Sequence, residues 1–194
     1  MIIAGAGSAG KETLGLLLGV NKNAEVIFFD ENASLKLVFD KYPVINNIEQ
    51  LKVQLAKNPS FCVAIGHPRK RQKMFEKITD MGGRSLNIYA PNYSGISHFA
   101  DNGSIFQPGV VISYEVEVGK SCLIHANTVI GHKVQIGDFV NISPLCSVIG
   151  PSKIGHNTHI GSGSIILPGV SLGCNVIIKA GSIVDRDIKD YETF

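Results

Sequence analysis

From residue 100 onward, an apolar residue recurs at every sixth position of the 194-residue chain without a break. The series runs Ala100, Phe106, Ile112, Val118, Ile124, Ile130, Ile136, Ile142, Val148, Ile154, Ile160, Ile166, Leu172, Ile178 and Val184. Four residues after each comes a small or β-branched residue, from Ser104, Val110 and Val116 through Cys122, Thr128 and Cys146 to Ser182 and Ile188. A period of six matches neither the 3.6 of a helix nor the two of a strand. It matches a triangular prism in which each hexad is one short strand plus a corner, with the aliphatic residue turned inward onto its equivalent one coil away. Three hexads close a coil, so equivalent residues stand 18 apart and the fifteen hexads make five coils. At ~4.8 Å between strands the prism is roughly 24 Å tall. Glycine follows the aliphatic residue directly at 119, 131, 137, 155, 161 and 173, where it is expected to let the chain turn sharply.

The first hundred residues read differently. Met1 to Ala4 is a short apolar strand, Gly5-Ala6-Gly7-Ser8-Ala9-Gly10 a glycine loop, and Leu14, Leu17 and Leu18 begin a helix. A second strand, Glu25 to Phe29, ends at Asp30, twenty residues after Gly10, which is the spacing of a dinucleotide fingerprint. Phe61 to Ile65 reads as a buried strand, Arg69 to Asp80 as an amphipathic helix closed by Gly82-Gly83, and Ser85 to Tyr89 as a further strand. Amides at Gly7 to Gly10 would point from the helix start at a phosphate. The unit is too short for both halves of a dinucleotide-binding domain, which favours a nucleotide mono- or diphosphate over NAD. The same glycines would also serve a purely structural α/β cap. Ala90-Pro91-Asn92 breaks the pattern, dividing the chain into residues 1–92 and 93–194.

Composition narrows the function classes. With 44% hydrophobic residues the chain can bury a core without staples, and its formal charge of +2 is too small for a nucleic-acid binder. The nearest basic run, Arg69, Lys70, Arg71 and Lys73, reads as the solvated face of a helix. No apolar stretch is long enough to span a bilayer and no signal-peptide layout opens the chain, so a cytoplasmic protein is expected. The cysteines Cys62, Cys122, Cys146 and Cys174 have no metal-type spacing and fall in strand or repeat positions, as reduced thiols would. His156 and His159 lack a third ligand nearby, so no metal is expected.

Together the halves resemble the bacterial sugar acyltransferases of the PglD/NeuD type, which acetylate nucleotide-linked amino sugars and sialic acids. The segments that carry the resemblance are "IIAGAGSAGKETLGLL", "VIFFDE", "VAIGHPRKR" and "IHANTVIGHKVQIGDFVNISP", so it covers essentially the whole chain. It implies a small Rossmann-like domain followed by a left-handed parallel β-helix of hexapeptide repeats, acting in surface-glycan biosynthesis. It implies that His132 of "IGH" is the general base, and that acetyl-CoA lies in a groove between neighbouring prisms of a homotrimer. Asn141, Gly150, Gly161, Ser162 and Ala180 would line that groove, while Gly7, Ser8, Ala9, Gly10 and Asp30 would hold the nucleotide of the sugar substrate. Lys133 stands where the family has an acidic residue after the base, which leaves Asp138 as the carboxylate expected to orient the imidazole.

Residue chemistry agrees in outline. Acyl transfer from a thioester needs a base for the proton of an attacking amine or hydroxyl, and an imidazole titrating near 6.5 suits that task. Cys122 and Cys146, at inward positions, are unsuited to nucleophilic work. His125, in the matching "IHAN" segment, is either a site-shaping or a surface residue. A non-catalytic, trimeric nucleotide-sugar-binding protein on the same scaffold is the alternative. Flat, partly apolar prism faces favour cyclic association in either case.

Overall fold

The structure, a computed structural model, describes residues 1–95 and 101–194. Ala100, the first repeat member, and His98 lie outside the described residues.

The first half is an α/β unit. Strands β1 (Ile2–Ala4), β2 (Ile27–Phe29), β3 (Leu37–Val38), β4 (Tyr42–Ile45), β5 (Ser60–Val63) and β6 (Arg84–Ser85) form one sheet in the order β3-β4-β2-β1-β5-β6. Every pairing is parallel except that of β3 with β4. The helices are α1 (Ser8–Val20), α2 (Ile48–Lys57) and α3 (Pro68–Asp80). The central strands are apolar throughout because both faces are covered. Ile3, Phe28 and Cys62 pack with Leu14 and Leu16 of α1, while Ile2, Phe29 and Phe61 pack with Leu51 of α2 and Phe75 and Ile78 of α3. The sequence reading passes over α2, although its signal is present. Asn47 caps it by accepting from the Gln50 amide at 2.9 Å, and Ile48, Leu51 and Leu55 recur at helical spacing.

The second half is a parallel β-helix with three faces. The first stacks Ile88–Tyr89, Ile105–Phe106, Leu123–Ile124, Asn141–Ile142, His159–Ile160 and Ile177–Ile178. The second stacks Ser94–Gly95, Val111–Ile112, Val129–Ile130, Ser147–Val148, Ile165–Ile166 and Ile183–Val184, and the third Glu117–Val118, Gln135–Ile136, Lys153–Ile154 and Ser171–Leu172. Ser85 to Tyr89 therefore divides between the two halves, since Ser85 belongs to the α/β sheet and Ile88 pairs with Ile105 in the prism. From Phe106 on, every aliphatic repeat residue is buried except Val118, which is half-buried. The second inward series tolerates polar atoms by satisfying them. The hydroxyls of Ser104, Thr128 and Thr158 donate to the carbonyls of Gly119, Ser143 and Gly173 at 3.0, 3.1 and 2.8 Å.

The repeat glycines do something other than expected. The left-handed turn residue comes two positions later, where Ser121, Asn127, Lys133, Phe139, Leu145, Asn157 and Asn175 hold φ between 48 and 62°. The glycines themselves allow adjacent coils to touch. A Cβ on Gly131 would lie 2.7 Å from the Gly150 nitrogen, and one on Gly161 would lie 2.5 Å from the Ala180 nitrogen.

The α/β unit covers the upper part of the first face. Outward residues Ile88, Ile105 and Leu123 are buried in the cluster that holds Leu14, and Phe139 meets Phe75 edge-on at 5.6 Å. Below them the column continues with Asn141, His159 and Ile177, which are successively more open. Arg71 departs from the solvated helix face expected of its run. It is fully buried and donates to the carbonyls of Ile65 and Gly66 on one side and of Ser121, Phe139 and Val140 on the other. Buried carbonyls gathered at the seam attract a guanidinium, whose fork of donors can serve several at once.

Candidate functional site

The glycine loop joins the end of β1 to α1, and Gly5 takes a φ of 107° there. Gly7 caps α1 without a side chain, so the amides of the first helical turn have no partner within the helix. They border a cavity of about 690 Å³ at the carboxyl ends of β1, β2 and β5. Gly7, Ser8, Ala9 and Asp30 line it, joined by Lys70, Lys73 and Lys77. Gly10 lies beneath the loop, where a Cβ would overlap the Gly5 carbonyl. The Asp30 carboxylate accepts from the Ala6 amide at 3.0 Å and the Asn32 amide at 3.1 Å, so it also fixes the loop's shape. The three lysines were missed as site residues, although their 70/73/77 spacing places them on one helix face. Lys77 pairs with Glu31 at 2.5 Å. A helix N-terminus facing ammonium groups across a cleft is an arrangement for a phosphate-bearing ligand.

His132 stands at the corner between the second and third faces. Its ring is stacked on Tyr114 at 5.4 Å and 23°, and its Nδ1 is enclosed without a hydrogen-bond partner among the described residues. A Cβ on Gly150 would overlap the His132 carbonyl, so the next coil presses directly against this corner. Lys133 turns away to Glu115 at 3.7 Å. Asp138 does not orient His132, contrary to expectation. It sits one prism corner further on, where its carboxylate accepts from the Lys120 amide at 2.8 Å and lies 3.8 Å from His156 Nδ1.

The residues matched to the acetyl-CoA groove fall in two sets at prism corners, with Asn141 apart from both. Gly150 packs against His132 at one edge of the second face, whereas Gly161, Ser162 and Ala180 form the corner at its other edge. Asn141 lies on the first face, 3% exposed. Six residues of extended chain reach at most about 20 Å, so within one chain the sets are separated by a face width.

Asn141 belongs to a polar line that the sequence did not reveal. Its amide lies between His125 Nε2 at 3.2 Å and His159 Nδ1 at 3.1 Å, and His125 Nδ1 meets Gln107 Oε1 at 3.2 Å. Burial holds both histidines below the ordinary imidazole value. For His159 the neighbouring His125 and Arg71 add to it. His159 opens onto a second cavity, of about 510 Å³, also lined by His67, Arg69, Asn157, Asn175 and Tyr191. Gly66 borders both cavities.

Burial pushes the Cys122 thiol up to about 11 and Cys62 up to about 12, which leaves both inert. Among the described residues no group of three or more His, Cys, Asp or Glu is placed to hold a metal ion, and no helix is long and apolar enough to cross a membrane.

Comparison with known proteins places these features in a family. Residues 1–78 match the PglD N-terminal domain, and residues 151–186 match the hexapeptide repeat of succinyl-transferase. A GDP-perosamine N-acetyltransferase of Escherichia coli O157:H7 is 33% identical over 176 residues, covering 87% of this chain and 78% of that protein. A galactoside O-acetyltransferase of Escherichia coli K12 is 33% identical over 132 residues, covering 63% of this chain and 64% of its own. The perosamine N-acetyltransferase of Caulobacter crescentus, solved with CoA and GDP-perosamine, superposes with a TM-score of 0.84 at 24% identity, covering 97% of this chain and 90% of that one. The acetyltransferase domain of PglB from Neisseria gonorrhoeae gives 0.72 at 24% identity, covering 99% and 94%. The shared fold is a Rossmann-like unit followed by a left-handed parallel β-helix.

Proposed function

Because this chain belongs to the PglD-type family of hexapeptide-repeat sugar acetyltransferases, we propose that it moves an acetyl group from acetyl-CoA to an amino or hydroxyl group of a nucleotide-linked sugar, with His132 as general base. The glycine-loop cavity and its lysines hold the nucleotide phosphates. The substrate class follows the relative of 33% identity, whose name gives a GDP-linked sugar as its substrate. The product would serve surface-glycan assembly.

The observation that carries the reading is the placement of His132 on the edge of an apolar face, opposite the corner of Gly161, Ser162 and Ala180. Val111, Val129 and Ile183 on the second face, with Tyr114, Leu145 and Ile149 at its corners, are large apolar residues open to solvent. Burying them against copies of the same face in a closed homotrimer brings one edge of each prism to the opposite edge of its neighbour. His132 and the groove corner then share a cleft, which one chain alone cannot form.

In that cleft His132 takes the proton of the acceptor as its lone pair attacks the thioester carbonyl. The enclosure of Nδ1 leaves Nε2 for this proton. Backbone amides at the corner stabilise the tetrahedral oxyanion, which expels the CoA thiolate. The thiolate recovers the proton from the imidazolium, so the products are the acetylated sugar and free CoA.

The test is to incubate the protein with acetyl-CoA and a panel of UDP-, GDP- and dTDP-linked amino sugars while following thiol release. Turnover of at least one sugar is expected. Binding of a nucleoside diphosphate with no thiol release across the panel would instead favour the non-catalytic sugar-nucleotide binder, which the engagement of Asp138 away from His132 makes the second reading.

A further inference from the structure

A continuous line of hydrogen bonds runs along the first face from α1 to the second cavity, and its polarity is decided at one end. Gln107 Nε2 donates at 2.9 Å to the Glu12 carboxylate, which only accepts. Gln107 Oε1 accepts at 3.1 Å from the Ala126 amide, which only donates. The Gln107 amide therefore has one orientation. His125 Nδ1 lies 3.2 Å from that same oxygen, so it must carry a proton.

A neutral imidazole has one N–H, which leaves a lone pair on His125 Nε2, 3.2 Å from the Asn141 amide. Only the NH2 end of Asn141 can satisfy it. Turning that amide over provides the match without displacing any other group, and hydrogen-bond polarity is what decides such an orientation. The Asn141 oxygen then faces His159 Nδ1 across 3.1 Å and the Ser143 hydroxyl across 3.5 Å, and both can donate. His159 Nδ1 is protonated as a result, and its Nε2 is bare. The opposite amide orientation needs protons on both nitrogens of His125, which its burial disfavours.

Among the described residues none donates to this lone pair, which opens onto the cavity that Arg69, Asn175 and Tyr191 also line. On the same wall, Asn157 Oδ1 is enclosed with no partner among the described residues, and Asn175 Oδ1 is taken by Arg69 Nε at 2.9 Å. We propose that His159 is a binding residue whose Nε2 accepts a hydrogen bond from a hydroxyl or amine of the sugar, and that Gln107, His125 and Asn141 are positioning residues that fix its tautomer. The sugar assignment rests on the nucleotide-sugar reading, since Gly66 borders both this cavity and the one assigned to the nucleotide. The tautomer assignment stands apart from it.

Histidine 15N NMR on the full chain, without ligand and above the imidazole titration range, reads the tautomer directly, with His159→Gln identifying the signal. His159 is expected as a single Nδ1–H tautomer, and an Nε2–H form or a mixture overturns the proposal. Gln107→Leu removes the acceptor that orients His125, so His159 should lose its single tautomer. An unchanged His159 signal in that variant removes the relay. Saturating GDP-perosamine should then move the His159 Nε2 resonance where GDP does not. Equal shifts from the two, or none from either, overturn the sugar assignment whatever the thiol-release assay shows.

Discussion

The Arg71 guanidinium donates to the Phe139 carbonyl at 2.6 Å across the seam between the α/β unit and the prism, with no part of the side chain reaching solvent. Burial lowers its pKa to about 10, so it remains charged at neutral pH. It meets backbone carbonyls from both halves and thereby sets how the glycine-loop cavity is held beside the first face.

Arg71→Met should therefore cost at least about 3 kcal/mol, because several buried carbonyls lose their donor together. Urea unfolding of the variant measures this. A loss under about 1 kcal/mol would mean that water replaces the guanidinium at the seam.

His132→Ala should lower acetyl transfer by about 10²- to 10⁴-fold, the range for losing a general base. Light scattering should show its oligomeric state unchanged. Thiol release at the rate of the unaltered protein would remove His132 from the chemistry.

Lys73→Glu should weaken binding of a nucleoside diphosphate by about tenfold or more, since it reverses a charge facing the helix N-terminus. Calorimetry at two salt concentrations checks this, and the difference between the proteins should shrink as salt rises. Acetyl-CoA affinity should be unaffected.

Gly131→Ala should destabilise the prism by about 1–3 kcal/mol, as added volume with nowhere to go does. The new methyl would meet Gly150 backbone rather than a movable side chain. A neutral outcome in thermal melting would show that the coils can part there without cost.

Stability should fall in mild acid. His125 and His159 are bases held neutral in the fold, with their pKa values lowered chiefly by burial. Below about pH 6.5 the unfolded chain takes up protons that the folded one refuses, so the loss begins there and continues down to the folded values. Urea midpoints across that range should decline, and His125→Phe should flatten the decline. An equally steep slope in the variant would assign the acid sensitivity elsewhere.

The repeat residues show what was legible in advance. Phe106 to Val184 recur by six because each must fill the same inward place one coil further along, and a one-dimensional repetition of that kind is fully visible in a string. The glycine loop and Asp30 were legible for a similar reason, since strand, loop and helix are neighbours in sequence. Lys73 and Lys77 were hidden because a helix face has no partner in the sequence, only in space.

The sequence by itself therefore determined the prism and the strand, glycine loop and helix that open the chain, both set by short-range spacing. Tertiary structure decided that Arg71 is a buried staple, that the Asp138 carboxylate accepts from the Lys120 amide instead of meeting His132, and that Asn141 is held between two histidines. Those outcomes depend on which prism corner or face a residue occupies and on what the α/β unit covers. The Arg71 contacts, between residues 50 to 69 positions apart, leave no periodic trace, because they arise only when two separately patterned halves are packed together.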